Sequence, residues 1–137
     1  MKAVEIAART AWGEARGEGV AGMQAVLNVI NNRAKSPGWW GRDIASVCLT
    51  PWQFSCWNAV DPNRERLTSV TDKDALYRSA VAMAGRMAAG SLPDLTKGAD
   101  SYYATDIPKP GWAVGRVPLI TIGHHAFYRM GLRGNGE

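Results

Sequence analysis

The sequence predicts a mainly helical α+β domain with a small β element near its C-terminus. Apolar residues recur at the helical period through three stretches of the first two thirds, and aromatic and β-branched residues collect in the last third. A segment rich in proline and glycine divides the latter into two groups. At 137 residues the chain is long enough for one domain with a proper core, so residues 1–137 are read as a single catalytic domain or binding module.

The first helix is expected from Val4, Ala7, Ala8, Ala11 and Ala15, which recur at the helical period and form a buried stripe. Glu5, Arg9 and Arg16 fall on the opposite side, facing water. The helix runs into Gly13-Glu14-Ala15-Arg16-Gly17-Glu18, where glycine is expected to stop it. Glu14 follows Ala7 by seven residues, about 20° around the wheel, and so sits at the margin of the stripe. A half-buried carboxyl holds its proton more tightly, and a raised pKa lets a glutamic acid donate a proton near neutral pH. Solvation of a helix end by Glu14 and Glu18 is the plainer alternative.

Gly17-Glu18-Gly19 makes a turn, and a second helix is expected over 20–34 from Val20, Met23, Leu27, Ile30 and Ala34, ended by Pro37-Gly38. A short third helix is expected over 43–49, stopped by Thr50-Pro51. Gln53 to Asn58 reads as a loop or single turn, and Asp61-Pro62-Asn63 as a turn. A further helix is expected over 72–89, with Thr71 and Asp74 as its capping pair and Leu76, Ala80, Met83 and Met87 as its buried face. Short strands are expected over 99–104 and 120–128. Pro108, Pro110, Gly111, Gly115 and Pro118 make the segment between them a loop, of the kind that rims a cleft. A lysozyme-like α+β architecture has this form.

Sixteen basic against 12 acidic side chains give a net charge of +4, which suits a polyanionic partner such as nucleic acid, an anionic membrane or a bacterial cell wall. The basic residues are scattered, so a binding tract for nucleic acid is weakly supported. No apolar run reaches the roughly 18 residues of a membrane span, and no stable membrane insertion is expected. Glu5 and Arg9 interrupt the start where a secretory signal needs an unbroken apolar run, so synthesis in the cytoplasm without a signal peptide is expected. Trp12, Trp39, Trp40, Trp52, Trp57 and Trp112 are many for this length, and indole faces stack on sugars or bases as readily as they fill a core. Cys48 and Cys56 are expected as buried free thiols, with a disulfide as the alternative. A zinc site with His124 and His125 lacks the usual ligand spacing, and neither metal nor cofactor is expected.

Four ordered blocks then carry a resemblance. They are the run from Ala8 to Glu18, Gly22 and Ala25-Val26 with Asn32-Arg33, then Gln53-Phe54-Ser55-Cys56-Trp57, and Ile122-Gly123-His124-His125-Ala126-Phe127-Tyr128. Together they resemble the SleB-type (spore-cortex-lytic enzyme) cell-wall hydrolase family, over nearly the whole chain. The resemblance implies a fold like that of goose-type lysozymes and soluble lytic transglycosylases. It implies cleavage of the peptidoglycan glycan strand between N-acetylmuramic acid and N-acetylglucosamine by a monomer.

On this resemblance Glu14 is the catalytic acid/base. In the lytic transglycosylase route one carboxyl protonates the glycosidic oxygen, then takes a proton from the muramic 6-hydroxyl as that oxygen attacks the anomeric carbon. A hydrolytic muramidase or glucosaminidase would need a second carboxylate about 5 to 10 Å away, for which Glu18, Asp61, Asp100 and Asp106 are candidates. Gln53 and Ser55 are expected to hydrogen-bond the sugar, and Tyr102, Tyr103 and Trp112 to offer it apolar faces. Phe54 and Trp57 are secondary candidates, expected in the core. His125 matches the family's histidine and is expected at the cleft, whereas His124 stands where the family has asparagine. Arg16 is a candidate for holding Glu14 ionised. A bare, positively charged catalytic domain looks like a phage or prophage endolysin released by a holin, or a domain trimmed from an exported enzyme. The competing class is a non-catalytic, tryptophan-rich module that binds glycan or single-stranded nucleic acid.

Overall fold

The computed structural model describes residues 1–51, 53–134 and 136. Trp52, one of the tryptophans singled out above, lies outside them. Five helices and a three-stranded sheet make up the fold: α1 (Ala3–Ala15), α2 (Gly19–Lys35), α3 (Ile44–Leu49), α4 (Pro62–Ser69), α5 (Ala75–Ala88), β1 (Ser101–Ala104), β2 (Ile120–Ile122) and β3 (His125–Tyr128). Short 3-10 turns occupy Arg16–Glu18, Ser55–Trp57 and Gly111–Ala113. The mainly helical α+β class expected from the sequence is the observed one.

Helix α1 is the hub, packed against α2, α3, α4 and α5. Its small residues make that possible: Ala7, Ala8 and Ala11 are fully buried, and they let Met23, Leu27, Ile30 and Ala80 close on it from α2 and α5. Being enclosed on several sides changes the fate of its polar residues. Arg9 does not face water as expected; its guanidinium donates to the carbonyls of Leu67 (2.6 Å) and Val70 (3.0 Å) while pairing with Glu5 at 3.1 Å. Gly13 lies inside the helix, as the expected stop at Gly17 requires. It is a buried helical residue, and the chain turns only after Ala15, through the 3-10 turn and Gly19 at φ +73°.

Two other boundaries differ from expectation. Asp61-Pro62-Asn63 opens α4 instead of merely turning the chain: Asp61 accepts from the Asn63 amide as N-cap and proline occupies the first turn. Asp74 caps α5 by accepting from the Tyr77 amide at 2.9 Å, so that helix starts at Ala75 and not at 72. In α2, Val20 is 48% exposed in the first turn, while Met23, Leu27 and Ile30 are fully buried as the period requires. The capping box of Asp43 and Ser46 starts α3 where expected.

The sheet has the order β1-β3-β2, all antiparallel, with Tyr102 opposite Phe127 and Ile122 opposite His125. Gly123 and His124 form a two-residue hairpin loop between β2 and β3. Gly123 has φ +57° and His124 does not have a positive φ, the arrangement of a type II′ turn with glycine at its first position. One face of the sheet, with Phe127 and Tyr102, packs on Ala25 and Val29 of α2. The other carries Tyr103, Ala126 and Tyr128 against Ala113 and Met130. Cys48 and Cys56 are free and buried.

Candidate active site

Glu14 sits in the last turn of α1, where the helix meets the turn Ser55–Trp57. The approach is close because residue 13 is glycine: a Cβ there would lie 2.9 Å from Leu67 Cδ2 and 3.3 Å from Cys56 Sγ. Burial among these groups pushes the Glu14 carboxyl from its ordinary 4.5 up to about 7. The facing thiol and backbone amide of Cys56 oppose the shift, the Asp61 charge adds to it, and the Arg33 guanidinium opposes it more weakly. The result is a carboxyl able both to give and to take a proton near neutrality.

A cavity of about 360 Å³ opens over Glu14 and is lined also by Glu18, Ala104, Asp106, His124 and His125. Glu18 is engaged as a fastener: it accepts from His124 Nδ1 at 3.0 Å, and its carboxylate lies against the Cα of Gly123, where a Cβ would collide with it. Desolvation would raise the Glu18 pKa, but hydrogen bonds from the His124 ring and backbone outweigh it and hold the group below its ordinary value. The pair thus clips the α1–α2 turn to the tip of the β2–β3 hairpin. His125 is 9% exposed, and its Nδ1 has no hydrogen-bond partner. Burial lowers its pKa and favours the neutral ring. A buried polar atom without a partner costs about 1 to 3 kcal/mol, and this one is enclosed within the wall that His125 gives the cavity.

A second cavity, about 460 Å³, is lined by Arg33, Trp39, Gln53, Tyr102, Trp112 and Met130, among others. Tyr102 links the two, its ring standing edge-on to His125 at 5.1 Å while its hydroxyl is held protonated by desolvation and then by the Glu14 charge. Arg33 is 7% exposed, donates from Nε to the Asp100 carbonyl at 2.7 Å and lies over the Trp40 and Phe54 rings. Its Nη1 is 3.4 Å from Gln53 Oε1, which orients that amide at the cavity wall.

The structure therefore gathers Glu14, Glu18, His124 and His125 at one cavity and Gln53, Tyr102 and Trp112 at the next. The remaining candidates lie apart from both. Tyr103 is on the opposite sheet face, stacked on Tyr128 at 6.0 Å, and Ser55 is exposed at the start of its turn. Phe54 is buried, and Trp57 donates its indole N–H to Thr10 Oγ1 at 2.8 Å. Arg16 covers the Trp12 ring and donates to Asn63 Oδ1 at 2.7 Å, closing the end of α1; the guanidinium whose charge reaches Glu14 belongs to Arg33. Sequence reasoning missed Arg33 at the second cavity and Cys56 facing Glu14, whereas Trp39, one of the tryptophans offered for stacking, lines the second cavity. For Arg33 a signal existed, since it follows Val26 and Ile30 on the apolar face of α2.

Of the four carboxylates considered as partners for Glu14, Asp100 is turned away, accepting from the Met130 and Gly131 amides at 2.8 and 2.9 Å. Asp61 caps α4. Glu18 and Asp106 share the Glu14 cavity. Among the described residues no group of three or more histidines, cysteines or carboxylates is arranged to hold a metal ion.

Comparison with known proteins bears on this geometry. A family model described as Cell Wall Hydrolase matches residues 17–128, a span that begins beyond Glu14 and includes Glu18, Arg33, Gln53, Tyr102 and His125. The spore cortex-lytic enzyme of Halalkalibacterium halodurans is 30% identical over 126 residues, covering 90% of this chain and 34% of that protein. The chain thus spans about a third of the length of the curated relative it matches. The crystal structure of the catalytic domain of the Bacillus cereus SleB protein is similar with a TM-score of 0.70 at 26% identity, covering 91% of this chain and 88% of that one. The fold is accordingly lysozyme-like. With most of its length matched, the chain belongs to the cell wall hydrolase family.

Proposed function

We propose that this chain cleaves the glycan strand of peptidoglycan between N-acetylmuramic acid and N-acetylglucosamine as a lytic transglycosylase, with Glu14 as its one general acid/base. The observation that carries this reading is the carboxyl raised to about 7 on a cavity where Glu18 is engaged with His124. Protonated Glu14 gives its proton to the glycosidic oxygen as the bond to the anomeric carbon breaks. The carboxylate left behind takes the proton of the muramic 6-hydroxyl while that oxygen bonds to the anomeric carbon, which closes a 1,6-anhydro ring. The substrate supplies the nucleophile, so no second carboxylate is required. The neutral His125 ring and the Gln53 amide are suited to the hydroxyl and acetamido groups of the sugars, and Trp39, Tyr102 and Trp112 to their apolar faces.

Hydrolysis is the second reading, favoured by Asp106, an exposed carboxylate on the same cavity that could activate water. Mass spectrometry of the fragments released from purified peptidoglycan separates the two. Anhydro-muramic ends support the transglycosylase, and reducing ends contradict it and direct attention to Asp106→Asn. The endolysin role belongs to the same proposal and is supported by a net charge of +4 that suits an anionic wall. Lysis of a producing bacterial culture only when its inner membrane is permeabilised is the expected result; failure to lyse after permeabilisation contradicts it.

A further inference from the structure

A smaller cavity of about 200 Å³ adjoins the aromatic cleft, sharing Gly131 and Leu132 with it, and is lined by Lys35 and Arg129. Both cations are exposed, and among the described residues neither forms an ion pair. Among the described residues the one carboxylate on the cavity, Asp100, is committed to the Met130 and Gly131 amides and to the Ser101 hydroxyl. The helix-end carbonyls that would repel an anion are answered as well, since the Trp40 indole N–H is shared by the Arg33 and Ser36 carbonyls at 3.1 Å each. On the floor of the adjoining cleft Arg33 is a buried guanidinium with no carboxylate in ion-pair contact among the described residues. A cation so placed is costly unless something arrives to answer it. Acceptor-rich and anionic chemistry therefore fits the whole trough from Arg33 to Arg129.

We propose that this trough binds the acidic peptide stem of a peptidoglycan strand, with Lys35 and Arg129 receiving its carboxylates and Arg33 facing the carbonyl oxygens where the stem leaves the sugar. The proposal rests on the glycan-cleaving reading and adds a substrate preference to it: strands that carry peptide stems are cut in preference to strands stripped of them.

The test compares kcat/KM on purified glycan strands with their stems intact and on the same strands stripped by an amidase, for the wild-type protein and for the double variant Lys35→Glu, Arg129→Glu. Two exposed ion contacts together amount to about a tenfold preference for stem-bearing strands in the wild type, reduced to none in the variant. Rates on stripped strands are expected to be equal for the two proteins, which also reports that the variant is folded. Equal wild-type rates on both substrates, or a preference that survives the double charge reversal, overturn the stem-binding proposal while leaving glycan cleavage in place. If the wild type cuts neither substrate, the cleavage reading fails and this inference falls with it.

Discussion

Gly13 and Cys56 approach so closely that a Cβ on Gly13 would lie 3.2 Å from Cys56 Cβ, and this contact seals the inner side of the Glu14 carboxyl. Alanine at position 13 gains helix propensity, about 1 kcal/mol, but meets Leu67 and Cys56 at the cost of overpacking, about 1 to 3 kcal/mol. Gly13→Ala is therefore expected to lower stability by about 1 kcal/mol in urea titrations. Its larger effect is expected on chemistry, because a displaced turn at 55–57 admits water and lowers the Glu14 pKa. The alkaline limb of the pH–rate profile should move to lower pH.

The raised Glu14 pKa also predicts how stability varies with pH. The folded protein holds this proton up to about pH 7, whereas the unfolded chain releases it near 4.5, so the folded state binds more protons in between. Stability should fall as pH rises through that window and then level off, by up to about 3 kcal/mol from this group. Glu14→Gln removes the charge that burial penalises. It should be more stable than the wild type at pH 8 and equal to it at pH 4 by thermal melting.

The Glu18–His124 clip carries the opposite sign. A carboxyl held below its ordinary value stabilises the fold above the unfolded pKa, and the benefit is lost as pH falls through the folded pKa. Glu18→Gln should lower the melting temperature at pH 6 and have little effect once the carboxyl is protonated. Gly123→Ala is expected to be worse than Glu18→Gln at every pH, since a Cβ there is strained at φ +57° and collides with the Glu18 carboxylate. Loss of the clip should also lower kcat, because it fixes the hairpin tip that brings His125 to the cavity it shares with Glu14.

Asp100→Asn distinguishes a structural carboxylate from a reacting one. Both Asp100 oxygens accept backbone amides, and the amide side chain offers one acceptor in their place, so a stability loss of about 1 to 3 kcal/mol is expected. Activity per folded molecule should be unchanged. A selective loss of kcat with normal stability would show that Asp100 takes part in the reaction.

The helices α1, α2, α3 and α5 and the strand pair were legible because each carries a buried stripe of fixed period or a capping residue at its start. Helix α4 was not, because Leu67 is its only buried residue and its opening Asp61-Pro62 reads equally well as a turn. Glu14 was singled out by its place on the helical wheel, a local property, and by the family resemblance. The residues that shift its carboxyl come from distant elements: Cys56 from a turn, Asp61 from the start of α4 and Arg33 from the far end of α2. Periodicity reports which face of an element is buried, and is silent on which buried faces meet. Arg9 shows the same limit, polar by pattern yet drawn onto the Leu67 and Val70 carbonyls at the end of α4, 58 and 61 residues along the chain.

The most direct test of Glu14 as the proton donor and acceptor is the rate at which Glu14→Gln clears a suspension of purified peptidoglycan at pH 6, beside its binding to the same material. The glutamine variant should bind like the wild type and clear at least ~1,000-fold more slowly, since general acid–base catalysis contributes about 10²- to 10⁴-fold and this group serves in both steps. Clearing at an undiminished rate by a folded, binding-competent Glu14→Gln protein would contradict the assignment.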